Sequence, residues 1–178
     1  MAEPEVVGVG HVEDRTRTVR WEDPAPASEA LRAMSGLDYI QAVIEGDVAP
    51  APMDVLLGIR LVAAADGRVT AAVTVGEVHT DPLGSIHGGL ACSLLETAIA
   101  SAVATTLPLG QGFTSIDLST QFLRAARAHT GELTCEATVG HRGRRIVFAS
   151  GVVTDSAGTL VAVGYGSHLV VPHAAVRH

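Results

Sequence analysis

The strongest constraint on the fold is a run from Gly88 to Thr106 in which nearly every residue is apolar or small. A run of this kind is either a transmembrane span or a helix buried at the centre of a protein. A span needs roughly 20 uninterrupted apolar residues, whereas this run contains Glu96 and five serine or threonine residues, which are costly in hydrocarbon. The run therefore predicts a central buried helix and no membrane span.

Segments with strand character lie on both sides of this predicted helix. Residues Val55 to Ala64 and Val69 to Val75 flank Asp66-Gly67, a dipeptide typical of hairpin turns. An antiparallel sheet wrapped around one helix would bury that helix on most sides, so the predicted fold class is α+β. Four further segments, separated by turn residues, complete the predicted sheet: Phe113 to Leu123, Gly131 to Val139, Arg145 to Thr154 and Thr159 to Val171.

The chain is predicted to hold one domain, because 178 residues with 47% hydrophobic content suit a single core. Residues 1–30 mix charges and prolines and predict a mobile N-terminal extension. Residues 31–52 show apolar positions at helical spacing and predict short helices that pack on the domain. The main domain is expected at residues 53–172, with a tail at 173–178.

The composition also limits the classes of partner. A formal net charge of -7 and an aromatic content of 3% predict no nucleic-acid surface. Cys92 and Cys135 have neither the number nor the spacing of a disulfide or zinc framework, so both are expected to be core thiols. The histidines lack metal-ligand spacing, and we expect no metal site. The acidic N-terminus does not read as a secretory signal, which favours a cytoplasmic location.

The residues that carry chemistry are expected where a turn-rich loop from Asp81 enters the apolar helix through His87-Gly88-Gly89. The first turn of a helix has N–H groups without intrahelical partners and a partial positive charge. Glycines at this point let an anion or a polarised carbonyl approach closely. These are the properties of an oxyanion hole, and Glu96 lies farther along the same helix.

Gly88 and Glu96 are separated by eight residues, which corresponds to about 12 Å of helical rise. That distance is too long for the glycine N–H and the carboxylate to act on one small group. If two copies pair around a two-fold axis, the first turn of one helix can meet the carboxylate of the other. We therefore predict an obligate homodimer with two equivalent sites, with the sheet continued across the dimer.

The order of elements and the pattern Asp81-x-x-Gly84-x-x-His87-Gly88-Gly89-x6-Glu96 resemble the hotdog-fold acyl-CoA thioesterases. Within that superfamily, the chain is most similar to the phenylacetyl-CoA and 4-hydroxybenzoyl-CoA thioesterase type. The resemblance runs from about residue 53 to 171. It also covers Phe113-Thr-Ser-Ile-Asp-Leu, Gly143-Arg144-Arg145 and Gly158-Thr-Leu-Val-Ala.

This resemblance implies roles for particular residues. The Gly88 N–H would polarise the thioester carbonyl, with Gly89 beside it and His87 orienting the site. Glu96 of the partner subunit would act as a nucleophile or would activate water, and Ser115 matches a position that holds a hydroxyl near the attacking water. The family uses coenzyme A thioesters without a cofactor. Its phosphate-binding segments correspond here to Arg124, Arg144 and Arg145.

The chain departs from the family pattern at position 81, which is usually Asn or Gln and here is Asp81. A second carboxylate near Glu96 would raise the pKa of one of the pair. An acyl-CoA thioesterase is the leading prediction, and the alternatives are a non-catalytic acyl-CoA binding module, a hotdog enoyl-CoA hydratase and a structural oligomer without ligand. Aryl, short-chain and medium-chain acyl groups remain open, as does a dimer of dimers.

Overall fold

The computed structural model describes residues 15–173, and within them six antiparallel strands form one sheet in the order β1-β2-β4-β5-β6-β3. The strands are β1 (Ile59–Ala65), β2 (Arg68–Thr74), β3 (Gln111–Phe122), β4 (Glu132–Arg142), β5 (Ile146–Asp155) and β6 (Leu160–Pro172). The helices are α1 (Pro24–Ala33), α2 (Gly36–Glu45), α3 (Pro52–Leu57) and α4 (Gly88–Thr105). The predicted α+β hotdog architecture, one long helix against an antiparallel sheet, is confirmed.

The core lies between α4 and the sheet. Leu95 of α4 is fully buried, and it faces Gly151 and Gly164 on two neighbouring strands. A Cβ atom at either glycine would come within 3.0 Å of a Leu95 methyl group, which is closer than carbon atoms pack. These glycines therefore let the helix approach the sheet closely. Other α4 residues that are fully buried are Leu94, Ala98, Ile99, Ala102 and Val103.

Helix α4 is the one helix in the described residues whose length and composition would allow it to cross a membrane. More than half of it, 56%, is buried inside the protein. This degree of burial is typical of a core helix, which the sequence analysis predicted because Glu96 and the serine and threonine residues disfavour a membrane span. Cys135 also lies in the core, where burial raises the pKa of its thiol to about 12.

The first hairpin begins later than the sequence predicted. Gly67 lies in its turn with a φ of 67°, which suits the Asp66-Gly67 signal. The predicted strand from Val55 is wrong in its first four residues, because Val55 to Leu57 belong to α3 and Gly58 is the residue that ends it. Gly58 ends that helix in the left-handed conformation, with a φ of 73°, and β1 begins immediately after it.

The N-terminal region also differs from the prediction. Residues 24–30, assigned to the extension, form most of α1, whose Asp23 side chain accepts a hydrogen bond from the Ala25 N–H at 2.9 Å. Pro24 occupies the first helical position, where its lack of an N–H has no cost. The predicted mobility of residues 1–14 and the predicted tail beyond residue 173 lie outside the described residues.

Candidate active site

The loop that leads into α4 is held by its own backbone and side chains. One carboxylate oxygen of Asp81, Oδ1, accepts hydrogen bonds from the Leu83 N–H at 2.8 Å and the Ser85 N–H at 3.0 Å. The His87 N–H donates to the His79 carbonyl at 2.8 Å. Asp81 thus organises the turn, and its second oxygen is not used in this turn.

His79 anchors the start of this loop to α3. Its Nδ1 accepts a hydrogen bond from the Gly76 N–H at 3.1 Å, so its Nε2 carries the proton and donates to the Leu57 carbonyl at 3.2 Å. Burial lowers the pKa of His79, and the nearby Arg17 guanidinium lowers it further. The neutral form that these two bonds require is therefore favoured.

The first turn of α4 places the N–H groups of Gly88 and Gly89 in different surroundings. His87 is the N-cap residue, and its Nδ1 accepts a hydrogen bond from the Gly89 N–H at 2.9 Å. The Gly88 N–H, by contrast, has no acceptor among residues 15–173. The predicted substrate-binding role of Gly89 therefore does not extend to its N–H in this structure, because His87 occupies that donor.

A pocket of about 410 Å³ opens beside Gly88. Three of the predicted site residues, Asp81, Gly88 and Arg124, line this pocket, and Phe122 lines it with them. The structure therefore brings these three residues to one place. Apolar side chains form the rest of its wall, among them Ile86, Ala91, Leu133 and Val161. The pocket offers a hydrogen-bond donor at the positive end of a helix, with an arginine at its edge.

Glu96 lies two turns farther along α4, and its Oε1 accepts a hydrogen bond from the Ser115 hydroxyl at 2.6 Å. The structure thus brings Ser115 of β3 to the predicted catalytic carboxylate. Because Gly88 and Glu96 occupy one continuous helix, the separation of about 12 Å along its axis is maintained. Neither half of the predicted site reaches the other within one chain.

The three predicted phosphate-binding arginines divide between these two halves. Arg124 lines the Gly88 pocket. Arg144 and Arg145 are exposed in the turn between β4 and β5. The Arg145 carbonyl accepts a hydrogen bond from the Val170 N–H at 2.8 Å, and Val170 pairs with Phe113 in the sheet. Arg144 and Arg145 therefore lie toward the end of the sheet where Ser115 is located.

Comparison with known proteins matches this architecture to one family. The profile of the thioesterase superfamily matches residues 83–162. Human acyl-coenzyme A thioesterase 13 is 32% identical over 111 residues, which is 62% of this chain and 78% of the human protein. The chain belongs to the thioesterase superfamily. This thioesterase therefore has the hotdog fold and is a thioester hydrolase, as the sequence predicted.

Solved structures agree with the assignment. A thioesterase from Haemophilus influenzae superposes with a TM-score of 0.66 at 25% identity, covering 71% of this chain and 87% of that one. The Escherichia coli PaaI protein from the phenylacetic acid degradation operon superposes with a TM-score of 0.67 at 24% identity, covering 78% and 96%. At 24% identity, the likeness to the PaaI protein concerns the fold alone.

The sequence did not indicate His168, which lies directly opposite Ser115 in the pairing of β3 with β6. His168 is fully buried, and among residues 15–173 neither ring nitrogen meets the full geometry of a hydrogen bond. Its ring meets Phe113 edge to face at 5.5 Å. Burial lowers the pKa of His168, and the Glu96 and Asp117 carboxylates oppose this shift. The Val147 backbone opposes the shift as well, but burial is the largest influence, so the neutral imidazole is favoured opposite Ser115.

A second contact that the sequence did not indicate involves Thr97, the residue that follows Glu96. The Thr97 hydroxyl donates to the Asp54 carboxylate at 2.7 Å and so links α3 to α4. Burial raises the pKa of Asp54, although the Thr97 hydrogen bond lowers it in part. The sequence analysis assigns no role to Asp54, and only the packing of α3 on α4 brings it to Thr97.

Proposed function

We propose that this thioesterase hydrolyses acyl-CoA thioesters to a free acid and CoA at two equivalent sites of a homodimer. Each site would combine the Gly88 N–H of one protomer with Glu96 and Ser115 of the other. The observation that supports this most is the division of the site, with a free N–H at the start of α4 and a carboxylate two turns along the same helix.

The edge strand β3 suggests how two protomers would pair. In the described sheet β3 is hydrogen-bonded to β6 alone, which leaves its outer edge open to a second strand. Ser115 lies near its start and Phe122 at its end, and a Cβ at Gly88 would be 3.1 Å from the Phe122 ring. Antiparallel pairing of β3 with its copy would bring Ser115 near the partner's Phe122, and Glu96 near the partner's Gly88.

The proposed chemistry needs a base and an oxyanion donor. The Glu96 carboxylate removes a proton from water, and the water oxygen forms a bond to the thioester carbonyl carbon. The negative charge that develops on the carbonyl oxygen is stabilised by the partner's Gly88 N–H and the start of its helix. The C–S bond then breaks, and the CoA sulfur takes the proton from Glu96. Attack by Glu96 itself, through an anhydride that water then cleaves, uses the same groups.

Binding of CoA would use arginines from both protomers. Arg124 beside the Gly88 pocket and Arg144 and Arg145 beside the Ser115 end would converge on one site in the proposed dimer. Their guanidinium groups suit phosphate oxygens through paired hydrogen bonds. Because Glu96 and Gly88 supply both catalytic functions, we propose that the reaction uses no metal or other cofactor.

The test is complementation between two inactive variants. Glu96→Gln removes the base, and Gly88→Val places a branched side chain against Phe122 in the oxyanion pocket. Each variant alone should release no CoA thiol from a panel of acyl-CoA substrates. After unfolding and refolding in equal amounts, half of the dimers are mixed, and each mixed dimer has one complete site. Activity should then return to about a quarter of wild type.

The outcome separates the alternatives. No recovery, with both variants folded and dimeric, would mean that each site is built within one chain. Tight binding of acyl-CoA by the wild-type protein without release of thiol would favour the binding module. Addition of water to an enoyl-CoA, followed by its absorbance, would favour the hydratase.

A further contact between dimers is proposed on the outer face of the sheet. Phe148, Val152 and Tyr165 are all exposed there, with 57% of Tyr165 accessible. Phe148 and Tyr165 belong to the central strands β5 and β6, and they point away from α4. Such a surface suits a dimer of dimers. Tyr165→Glu should convert a tetramer to a dimer in light scattering and leave turnover per site unchanged.

A further inference from the structure

A second cavity lies at the far end of α4, where the N-terminal helices meet the start of β3. It has a volume of about 220 Å³. Leu31 of α1, Ala104 and Leu107 at the end of α4, and Phe113 of β3 provide most of its apolar wall. None of the residues contributed by α1 and α2 falls within the segment matched by the superfamily profile, residues 83–162.

Of the two helices that close this cavity, α2 is packed tightly onto α4. The Gly36 N–H at the start of α2 donates to the Leu107 carbonyl at 3.0 Å. A Cβ at Gly36 would lie 1.8 Å from the Ala104 carbonyl oxygen, so only glycine allows this approach. The part of the wall at Gly36 is therefore fixed by backbone contact, and side chains of α1 complete it.

Contacts lead from the proposed catalytic carboxylate toward this cavity. Ser115 donates a hydrogen bond to Glu96, and Phe113 lines the cavity. The two residues are two positions apart on β3 and therefore lie on the same face of the strand. His168 touches Phe113 and lies opposite Ser115. On α4, Ala100 and Ala104 follow Glu96 at intervals of four residues and so share its face. The helix face between Glu96 and the cavity therefore carries only alanine side chains, which have little bulk.

We propose that this cavity receives the distal end of the acyl chain and selects medium-chain aliphatic acyl-CoA substrates; the proposal rests on the proposed thioesterase function. Glu96 and Ala104 are about 12 Å apart along α4. An extended hydrocarbon chain advances about 1.3 Å per carbon, given C–C bonds of about 1.5 Å. The seven C–C bonds of an octanoyl group span about 9 Å, which brings its terminal methyl within the contact distance of about 4 Å from Ala104 at the cavity wall, whereas butyryl and phenylacetyl groups end well before it.

The test changes the cavity and compares chain lengths. Leu31→Trp fills the space from α1, and Ser28→Trp does so from one turn earlier on the same helix. Ala33→Trp adds the same side chain to α1 at an exposed position outside the cavity wall and serves as the control. We expect Leu31→Trp and Ser28→Trp to lower kcat/KM for octanoyl-CoA at least about tenfold, because several buried methylenes are lost. For butyryl-CoA, kcat/KM should stay within about twofold.

The same comparison is made by binding in the Glu96→Gln background, in which the thioester stays intact. Titration calorimetry with octanoyl-CoA should show weaker binding in the Leu31→Trp variant, and titration with butyryl-CoA should show no change. An unchanged octanoyl-to-butyryl ratio in both readouts, with the variants folded, would overturn the acyl cavity while leaving the hydrolase intact. A wild-type protein that releases no thiol from any substrate would instead overturn the proposed function, and the binding ratio would still decide the role of the cavity.

Discussion

The first and third turns of α4 carry the two halves of the proposed site, and they are built in different ways. At the first turn the important group is a backbone N–H, that of Gly88, and a side chain of the loop, His87, holds the turn in place. At the third turn the important group is a side chain, Glu96, and a strand of the sheet holds it through Ser115. The loop therefore determines the donor, and the sheet determines the base.

The two halves of the proposed site should therefore respond differently to substitution. A backbone donor survives most substitutions and is lost when its turn deforms, whereas a carboxylate is removed by one change that leaves the helix intact. Variants of the third turn should therefore affect turnover and leave stability unchanged. Variants of the first turn should affect both.

The largest effect is expected for Glu96→Gln. The amide has nearly the same shape but cannot take a proton from water, so kcat should fall at least 100-fold. The melting temperature and the dimer should be unchanged. Thiol release, followed with a thiol-reactive dye, measures the loss. More than about a tenth of wild-type activity in this variant would exclude Glu96 as the base.

His87→Ala tests the first turn. The variant removes the acceptor for the Gly89 N–H, and loss of an N-cap costs about 1 kcal/mol of unfolding free energy. We also expect about a tenfold loss of kcat, because Gly88 is no longer held at the start of the helix. Both can be measured, the first by urea denaturation and the second by thiol release.

His87→Asn is the matched control, because Asn caps helices well and restores the acceptor. It should recover the stability. Recovery of stability without recovery of kcat would show that the imidazole has a role beyond capping. Unchanged stability in His87→Ala would mean that the loop holds the turn without the cap.

The sequence predicted the fold well wherever hydrophobic pattern and turn residues agreed. The predicted helix from Gly88 matches α4, and the four strands after it lie within three residues of their predicted limits. The errors lie on the N-terminal side, where two helix signals are present but short. Asp23-Pro24 is a cap followed by a first-turn proline, and Pro52 with Gly58 marks a short helix.

The candidate site was predictable in part. Glycines before an apolar helix and a single carboxylate within it are visible in the sequence alone, so Gly88 and Glu96 can be proposed as site residues without a structure. His168 was not, since its position opposite Ser115 depends on strand register. That register contains an irregularity between Ser115 and Asp117, and no local residue pattern specifies it. The use of the Gly89 N–H by His87 likewise depends on a side-chain rotamer.

Ser115→Ala tests the support of the third turn. The variant removes one hydrogen bond to Glu96, for which we expect a net loss of about 1 kcal/mol in the transition state, or about fivefold in kcat. Ser115→Thr keeps the hydroxyl on a strand residue and should retain activity. Stability should change little in either variant, because Ser115 is exposed in the single chain. An alanine variant as active as wild type would show that β3 does not position the base.

The smallest effect is expected for His168 and concerns the dependence of stability on pH. Burial lowers the pKa of His168 in the folded protein, with Glu96 and Asp117 opposing the shift. Between this lowered value and the unfolded value of about 6.5, the unfolded chain binds the extra proton, so stability falls as the pH falls through that window. His168→Leu should remove this contribution. The wild-type melting temperature should drop more than that of the variant between pH 7 and 5.

His79, whose pKa is also lowered, contributes to the pH dependence of both proteins, so its contribution cancels when the two melting temperatures are subtracted. Parallel pH dependence in the two proteins would mean that His168 finds a partner for its proton in the folded state.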